Sequence, residues 1–266
     1  MFKKSLILLV ISLLAAINPT FRIYGALPAA DSTATCSDSI VQSSQTGFRP
    51  TQLILPATLI TVGAFGVDNG FLVKVKEKVR DGFQDFRGNN RWHGDDYIQY
   101  LPAAAYIGLG FLNTSPKHNF AQRLSAGVTA YAFMGIMVNG TKLMVDEKRP
   151  DSGAMNSFPS GHTATAFMGA ELVRLEYPWP YALGAYTVAT LTAVLRLYND
   201  RHWANDLLAG AGIGILSARM AYWMLPLYNK WFFKGKNDRR GGQTRMIAPG
   251  YDPVRRAPTL TAVCIF

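Results

Sequence analysis

The residues best suited to chemistry fall in three short clusters. In the first, Lys142 is followed seven positions on by Arg149 and then Pro150. That interval is close to two helical turns, so both cations would project from one face. A residue before proline avoids the helical region, which puts Arg149 at a helix end with its guanidinium free. A point charge beside a bidentate fork suits a phosphate. Basic residues at a helix end equally suit a membrane interface. The second cluster is Pro159-Ser160-Gly161-His162, opening an apolar stretch. Ser160 is a good helix cap, and Gly161 lets backbone come close to a ligand. The free N–H groups of such a helix start attract anions, and His162 would stand beside the anion with a proton to give. A capped helix carrying an ordinary polar histidine is the alternative.

The third cluster joins Arg196, His202 and Asp206. His202 and Asp206 are four residues apart, neighbours on one helical face. A carboxylate accepting from one ring nitrogen fixes the tautomer and leaves the other nitrogen to attack. Asp206 heads an apolar stretch, where a charge without a partner is costly in lipid. A structural His–Asp pair at a helix start is the competing reading.

These clusters sit at the ends of apolar stretches that must position them: 52–67, 97–112, 124–145, 163–177, 179–196 and 206–226. Several approach the ~20 residues of a spanning helix. Small residues such as Ala103, Ala104, Gly210, Gly212 and Gly214 mark places where helices in lipid approach closely. The expected fold is all-α, a membrane-embedded bundle of about six helices with the catalytic motifs at one end. A soluble helical protein with a buried core is the alternative. The charged segment 74–91, with Phe83 and Phe86 interspersed, reads as an amphipathic element on the bilayer surface or as a solvated face.

The chain ends carry their own signals. Lys3 and Lys4 precede an apolar run that exits into small residues, the marks of a secretory signal over residues 1–30. Residues 31–50 read as an exposed linker, 51–228 as the helical domain and 229–266 as a basic tail, whose last eight residues are strand-like. Cys36 and Cys264 fit neither a metal site nor a disulfide framework. Of the 266 residues 49% are apolar and 17% charged, fewer charges than soluble domains carry, and the net charge is +10. A basic chain suits nucleic acid, an anionic membrane or a phosphorylated substrate. Zinc-finger spacing, a basic zipper and basic tracts interleaved with aromatics are all missing, so no nucleic-acid partner is expected.

In order and spacing the clusters resemble the type 2 phosphatidic acid phosphatase superfamily. Its signature is Lys-x6-Arg-Pro, then Pro-Ser-Gly-His, then Ser-Arg-x5-His-x3-Asp. The chain reads KLMVDEKRP over Lys142–Pro150, PSGH over Pro159–His162 and LRLYNDRHWAND over Leu195–Asp206. Leu195 replaces the family's serine; every charged and nucleophilic position is kept. The resemblance implies that His202 attacks phosphorus and becomes a phosphohistidine, that Asp206 orients its ring, and that His162 protonates the leaving oxygen. It assigns Lys142, Arg149, Arg196, Ser160 and Gly161 to the phosphate oxygens, and calls for no metal and no cofactor.

The same resemblance points to a hydrolase acting on a membrane lipid, either a phosphate ester or a pyrophosphate. Lipid A, undecaprenyl pyrophosphate, phosphatidylglycerophosphate and phosphatidate are the candidates, lipid A slightly ahead. The expected partners are that lipid and the membrane, with no obligate protein partner evident. The expected place is a bacterial inner membrane with the site facing the periplasm. Two rivals share the motif architecture: a soluble periplasmic acid phosphatase and, less fittingly for this length, a vanadium haloperoxidase. Asp95, Asp96 and Tyr97 could shape the substrate mouth.

Overall fold

The structure is a computed structural model that describes residues 48–112, 114–231, 244–252 and 257–265. The expected signal peptide 1–30 and nearly all of the 31–50 linker lie outside the described residues. The chain divides into two compact units, one ending at Leu225 and the other starting at Pro226.

The first unit is helical. Its elements are α1 (Thr51–Asp68), α2 (Gly70–Arg87), α3 (Asp95–Ile98), α4 (Leu101–Gly108) with a short 3-10 turn after it, α5 (Phe120–Met144), α6 (Gly161–Glu176), α7 (Trp179–Tyr198) and, as far as Leu225, α8 (Ala204–Trp231). Five of the six expected stretches coincide with α1, α5, α6, α7 and α8, and the sixth, 97–112, breaks into α3, α4 and the 3-10 turn. Eight helices are thus present among the described residues, six of them 16 residues or longer. Local chemistry sets the boundaries. Asn69 opens α2 by accepting from the N–H groups of Phe71 and Leu72. Asn119 and Gln122 form a reciprocal capping box at α5.

Helices α6 and α8 form the centre. From Thr163 to Val173 every residue of α6 is buried, as are Leu207, Ala209, Ala211, Ile213, Ile215 and Ala218 of α8. The α8 glycines explain how closely its neighbours approach. A Cβ at Gly210 would lie 2.5 Å from the carbonyl of Ser160, and one at Gly214 would collide with Ala164 on the same α6 face. Gly212 points the other way: its Cβ would meet the Pro56 carbonyl of α1 at 2.8 Å. The small residues do mark close helix contacts.

Two helices, Thr51–Asp68 and Ala204–Lys230, are long and apolar enough to cross a membrane. Large apolar side chains also face outward from α5 and α7, among them Leu124, Val128, Ile136, Trp179 and Leu191. The segment 74–91 is amphipathic as expected, with Lys74, Glu77, Lys78 and Asp81 exposed. Most of it is α2, which buries Lys76, Val79, Gly82 and Phe83. The second unit departs from the all-α expectation with two antiparallel strands, β1 (Thr244–Asp252) and β2 (Ala257–Ile265), paired Thr244 to Ile265. Seven of the last eight residues, 259–265, fall within β2, and Phe266 lies outside the described residues.

Candidate active site

The three clusters meet where α5 ends, α6 begins and α7 gives way to α8. Lys142 lies in the last turn of α5. Arg149 is not on that helix: Val145 turns extended, and Arg149 sits in the loop that follows. The one-face arrangement of Lys142 and Arg149 on a single helix is therefore corrected. Pairing is achieved through the loop instead. Lys142 Nζ donates to the Asn156 carbonyl at 2.5 Å, and Arg149 Nε donates to Asn156 Oδ1 at 2.8 Å. Among the described residues neither cation has a carboxylate ion-pair partner.

Ser160 caps α6 as its sequence position suggested, its Oγ accepting from Thr163 N at 3.4 Å. The Ser160 N–H donates to the Asp206 carbonyl at 3.0 Å and so ties the start of α6 to the start of α8. Gly161 and His162 form the first turn of α6. Helix α8 begins at Ala204, so His202 lies just before it. The pair still forms, with His202 Nδ1 3.3 Å from Asp206 Oδ2. Nε2 is thereby the ring nitrogen available for attack. His202 is 3% exposed and Asp206 wholly buried.

Asp206 Oδ2 is held from two further directions, by Ser157 Oγ at 2.5 Å and by Trp203 N at 3.0 Å. Burial, followed by the charges of Arg196, Arg149, Lys142 and His162, pushes the His202 imidazole well below the ordinary histidine range. A neutral imidazole is the nucleophilic form. Burial and then Arg196 also lower His162, against the pull of Asp96. A phosphate dianion beside it would favour the protonated form. Burial and the Arg196 charge lower Arg149 too, yet a guanidinium stays charged at any physiological pH.

Several contacts here carried no sequence signal. Arg196 donates to buried Asp95 at 2.6 Å, and Asn199 holds Asp95 from the other side at 3.0 Å. Asp96 accepts from Arg196 at 3.3 Å and lies 2.9 Å from His162 Nε2. Asp95 is thus an anchor rather than part of a mouth, whereas Asp96 and exposed Tyr97 lie at the surface. Helix α2 braces the loops: Arg80 grips Asp200 at 2.8 Å and the Pro150 carbonyl at 3.0 Å, and Gln84 reaches Asp200 at 2.9 Å. Asp200 has φ of 61°, a left-handed turn that these contacts hold in place. Nothing local in the α2 sequence announces such partners.

Residues 141–230 match the PAP2 superfamily. The resemblance read from the motifs holds. All eight candidate site residues fall inside the matched region. The chain is also 41% identical over 149 residues to a lipid A 1-phosphatase of Porphyromonas gingivalis, covering 53% of this chain and 33% of that protein. It therefore spans about a third of the length of that relative. Among solved structures it is similar to Aquifex aeolicus LpxE, at 20% identity, TM-score 0.42, 53% of this chain and 92% of that one. It is similar as well to a transmembrane PAP2-type phosphatidylglycerolphosphate phosphatase of Bacillus subtilis, at 17% identity, TM-score 0.34, 86% of this chain and 96% of that one.

Proposed function

We propose that this PAP2-type chain is a membrane lipid phosphatase working through a phosphohistidine on His202, with the 1-phosphate of lipid A as its first candidate substrate. The observation that carries the reading is the charge imbalance around His202. Two cations without carboxylate partners, Lys142 and Arg149, act on the same neutral imidazole as Arg196 and His162. Half-buried cations that lack acidic partners are well placed to bind an anion. In the reaction His202 Nε2 attacks phosphorus while Asp206 holds Nδ1. The bond to the leaving oxygen breaks, and His162 supplies that oxygen with a proton. Water then attacks the phosphohistidine, with His162 as base. The three cations and the N–H groups at the start of α6 stabilise the equatorial oxygens.

The relative with the highest identity reported above carries the name lipid A 1-phosphatase, which supports that substrate class. Membrane residence is supported by the two long apolar helices and the outward apolar side chains of α5 and α7. A periplasmic site would place the far end of α6, with Lys117 and Arg174, toward the cytoplasm, in keeping with the bias of basic residues. Lys76 and Arg80 of α2 would then stand on the periplasmic side, but both are engaged by Glu147 and Asp200.

The test is phosphate release by the detergent-purified protein from lipid A, undecaprenyl pyrophosphate, phosphatidylglycerophosphate, phosphatidate and a soluble aryl phosphate. Release from a lipid, blocked by vanadate and indifferent to EDTA, is the expected outcome. Release from the soluble ester alone, or strict metal dependence, would overturn the proposal.

A further inference from the structure

Behind the carboxylate that steers His202 lies a second one that the proposed reaction does not use. Glu147, in the loop between α5 and α6, is 6% exposed. Buried Lys76 of α2 ion-pairs with it. Asn205 Nδ2 of α8 reaches its two oxygens at 3.2 and 3.0 Å. Ser157 ties Glu147 to Asp206, its N–H donating to the Glu147 carbonyl at 2.9 Å and its hydroxyl to Asp206 Oδ2 at 2.5 Å, so the two acids are neighbours. The two oxygens of Asp206 differ sharply. Oδ2 faces Ser157, Trp203 and His202, whereas Oδ1 is buried and has no donor.

A buried carboxylate oxygen without a donor is costly. Two adjoining buried carboxylates cannot both ionise easily beside a single ammonium. One proton between Glu147 and Asp206 Oδ1 removes both difficulties, and leaves the Lys76 cation balanced by one negative charge. Burial, and then the neighbouring Asp206, push Glu147 up to about 7, so it can keep that proton near neutrality.

We propose that Glu147, pinned by Lys76 and Asn205, is a positioning residue that donates a hydrogen bond to Asp206 Oδ1 and so sets the orientation and charge of the carboxylate behind His202. The proposal rests on the phosphohistidine reading and deepens it. It also gives α2, which lies outside the matched PAP2 region, a part in the reaction.

Two variants of similar volume test it. Glu147→Met removes the donor, while Glu147→Gln can still offer an N–H. With the donor gone, Asp206 bears an undivided charge that favours imidazolium. In Glu147→Met, kcat should fall about tenfold with KM nearly unchanged, the size of a typical coupling between contacting groups. The acid limb of its pH profile should move to higher pH. Lys142, Arg149, Arg196 and His162, which also face His202, are unchanged in both variants, so such a move is assignable. Glu147→Gln should keep turnover within about threefold and hold the limb in place. Wild-type behaviour in Glu147→Met, or an equal loss in both, would overturn the proposal. If Glu147→Met does not fold, a displaced limb in Glu147→Gln suffices to overturn it. NMR titration of the His202 ring reads the same shift without turnover. An inactive wild type would therefore count against the phosphatase reading alone, while an unmoved ring in Glu147→Met would count against the positioning role.

Discussion

The two ends of α6 handle charge in opposite ways. At its C-terminal end each acid is matched. Glu171, wholly buried, accepts from Arg174 at 2.5 and 2.6 Å, from Arg219 at 2.6 Å, and from the Tyr186 hydroxyl. Glu176 takes the His118 N–H at 2.6 Å and the Tyr222 hydroxyl at 2.7 Å. At the N-terminal end, about 20 Å away along the helix, the side chains of Lys142 and Arg149 hydrogen-bond, among the described residues, only to amide oxygens of Asn156 and Ser157. Matched charges close a core; unmatched charges of one sign, aimed at a neutral histidine, leave a place for an anion. Buried charge alone therefore does not locate a site in this chain. The excess of one sign does.

The sharpest way to break this comparison is His202→Ala. Turnover should fall by about 10³-fold or more, as loss of a nucleophile does elsewhere, with thermal unfolding little changed. Residual turnover near wild type would remove the nucleophile from the mechanism. Next in size is a pair of arginine variants. Arg149→Ala should cost about 10²–10³ in kcat, the effect of deleting one charge-stabilising donor, at nearly constant stability. Arg219→Ala should do the reverse. It keeps kcat per folded molecule but loses up to about 3 kcal/mol in denaturant unfolding, because Glu171 stays buried with only Arg174 as its cation. If both variants behaved alike, the two ends would not be different in kind.

That contrast also explains what could be read from the sequence. The helices were legible because hydropathy and caps are local: Ser160 opens α6 by accepting from Thr163 N, three residues on. The site motifs were legible because their spacing is fixed by chemistry, as with His202 and Asp206 four apart. Lys142 and Arg149 were misplaced on one helix, since periodicity cannot tell where α5 stops and Val145 turns extended. Glu147 and Ser157 were not legible at all, and Asp95 and α2 were legible only as part of a mouth and as an amphipathic or solvated segment, without their partners. Their roles depend on partners up to 120 residues away, as in the Arg80–Asp200 pair, and their composition matches an ordinary solvated helix or loop. The C-terminal strands beyond the final stretch were visible only as a β-prone run.

The smallest predicted effect follows from pH. His202 is buried neutral, its pKa held below the ordinary 6.5 by burial and by the cations around it. Unfolded, the same ring takes up a proton near pH 6.5, so below that value the unfolded chain binds more protons than the folded one. Stability is then complete above pH 6.5 and erodes as pH falls toward the depressed folded value, by about 1.4 kcal/mol for each unit of depression. Denaturant unfolding of the wild type and of His202→Gln, measured at pH 7.5 and at successively lower values, checks this. The wild type should lose stability faster than the variant below pH 6.5, and the two curves should run parallel above it. The far end of α6 is common to both proteins, so it contributes equally to each curve and cancels in their difference. Parallel curves throughout would mean that the ring at 202 is not held neutral, and the unmatched cations around it would need another explanation.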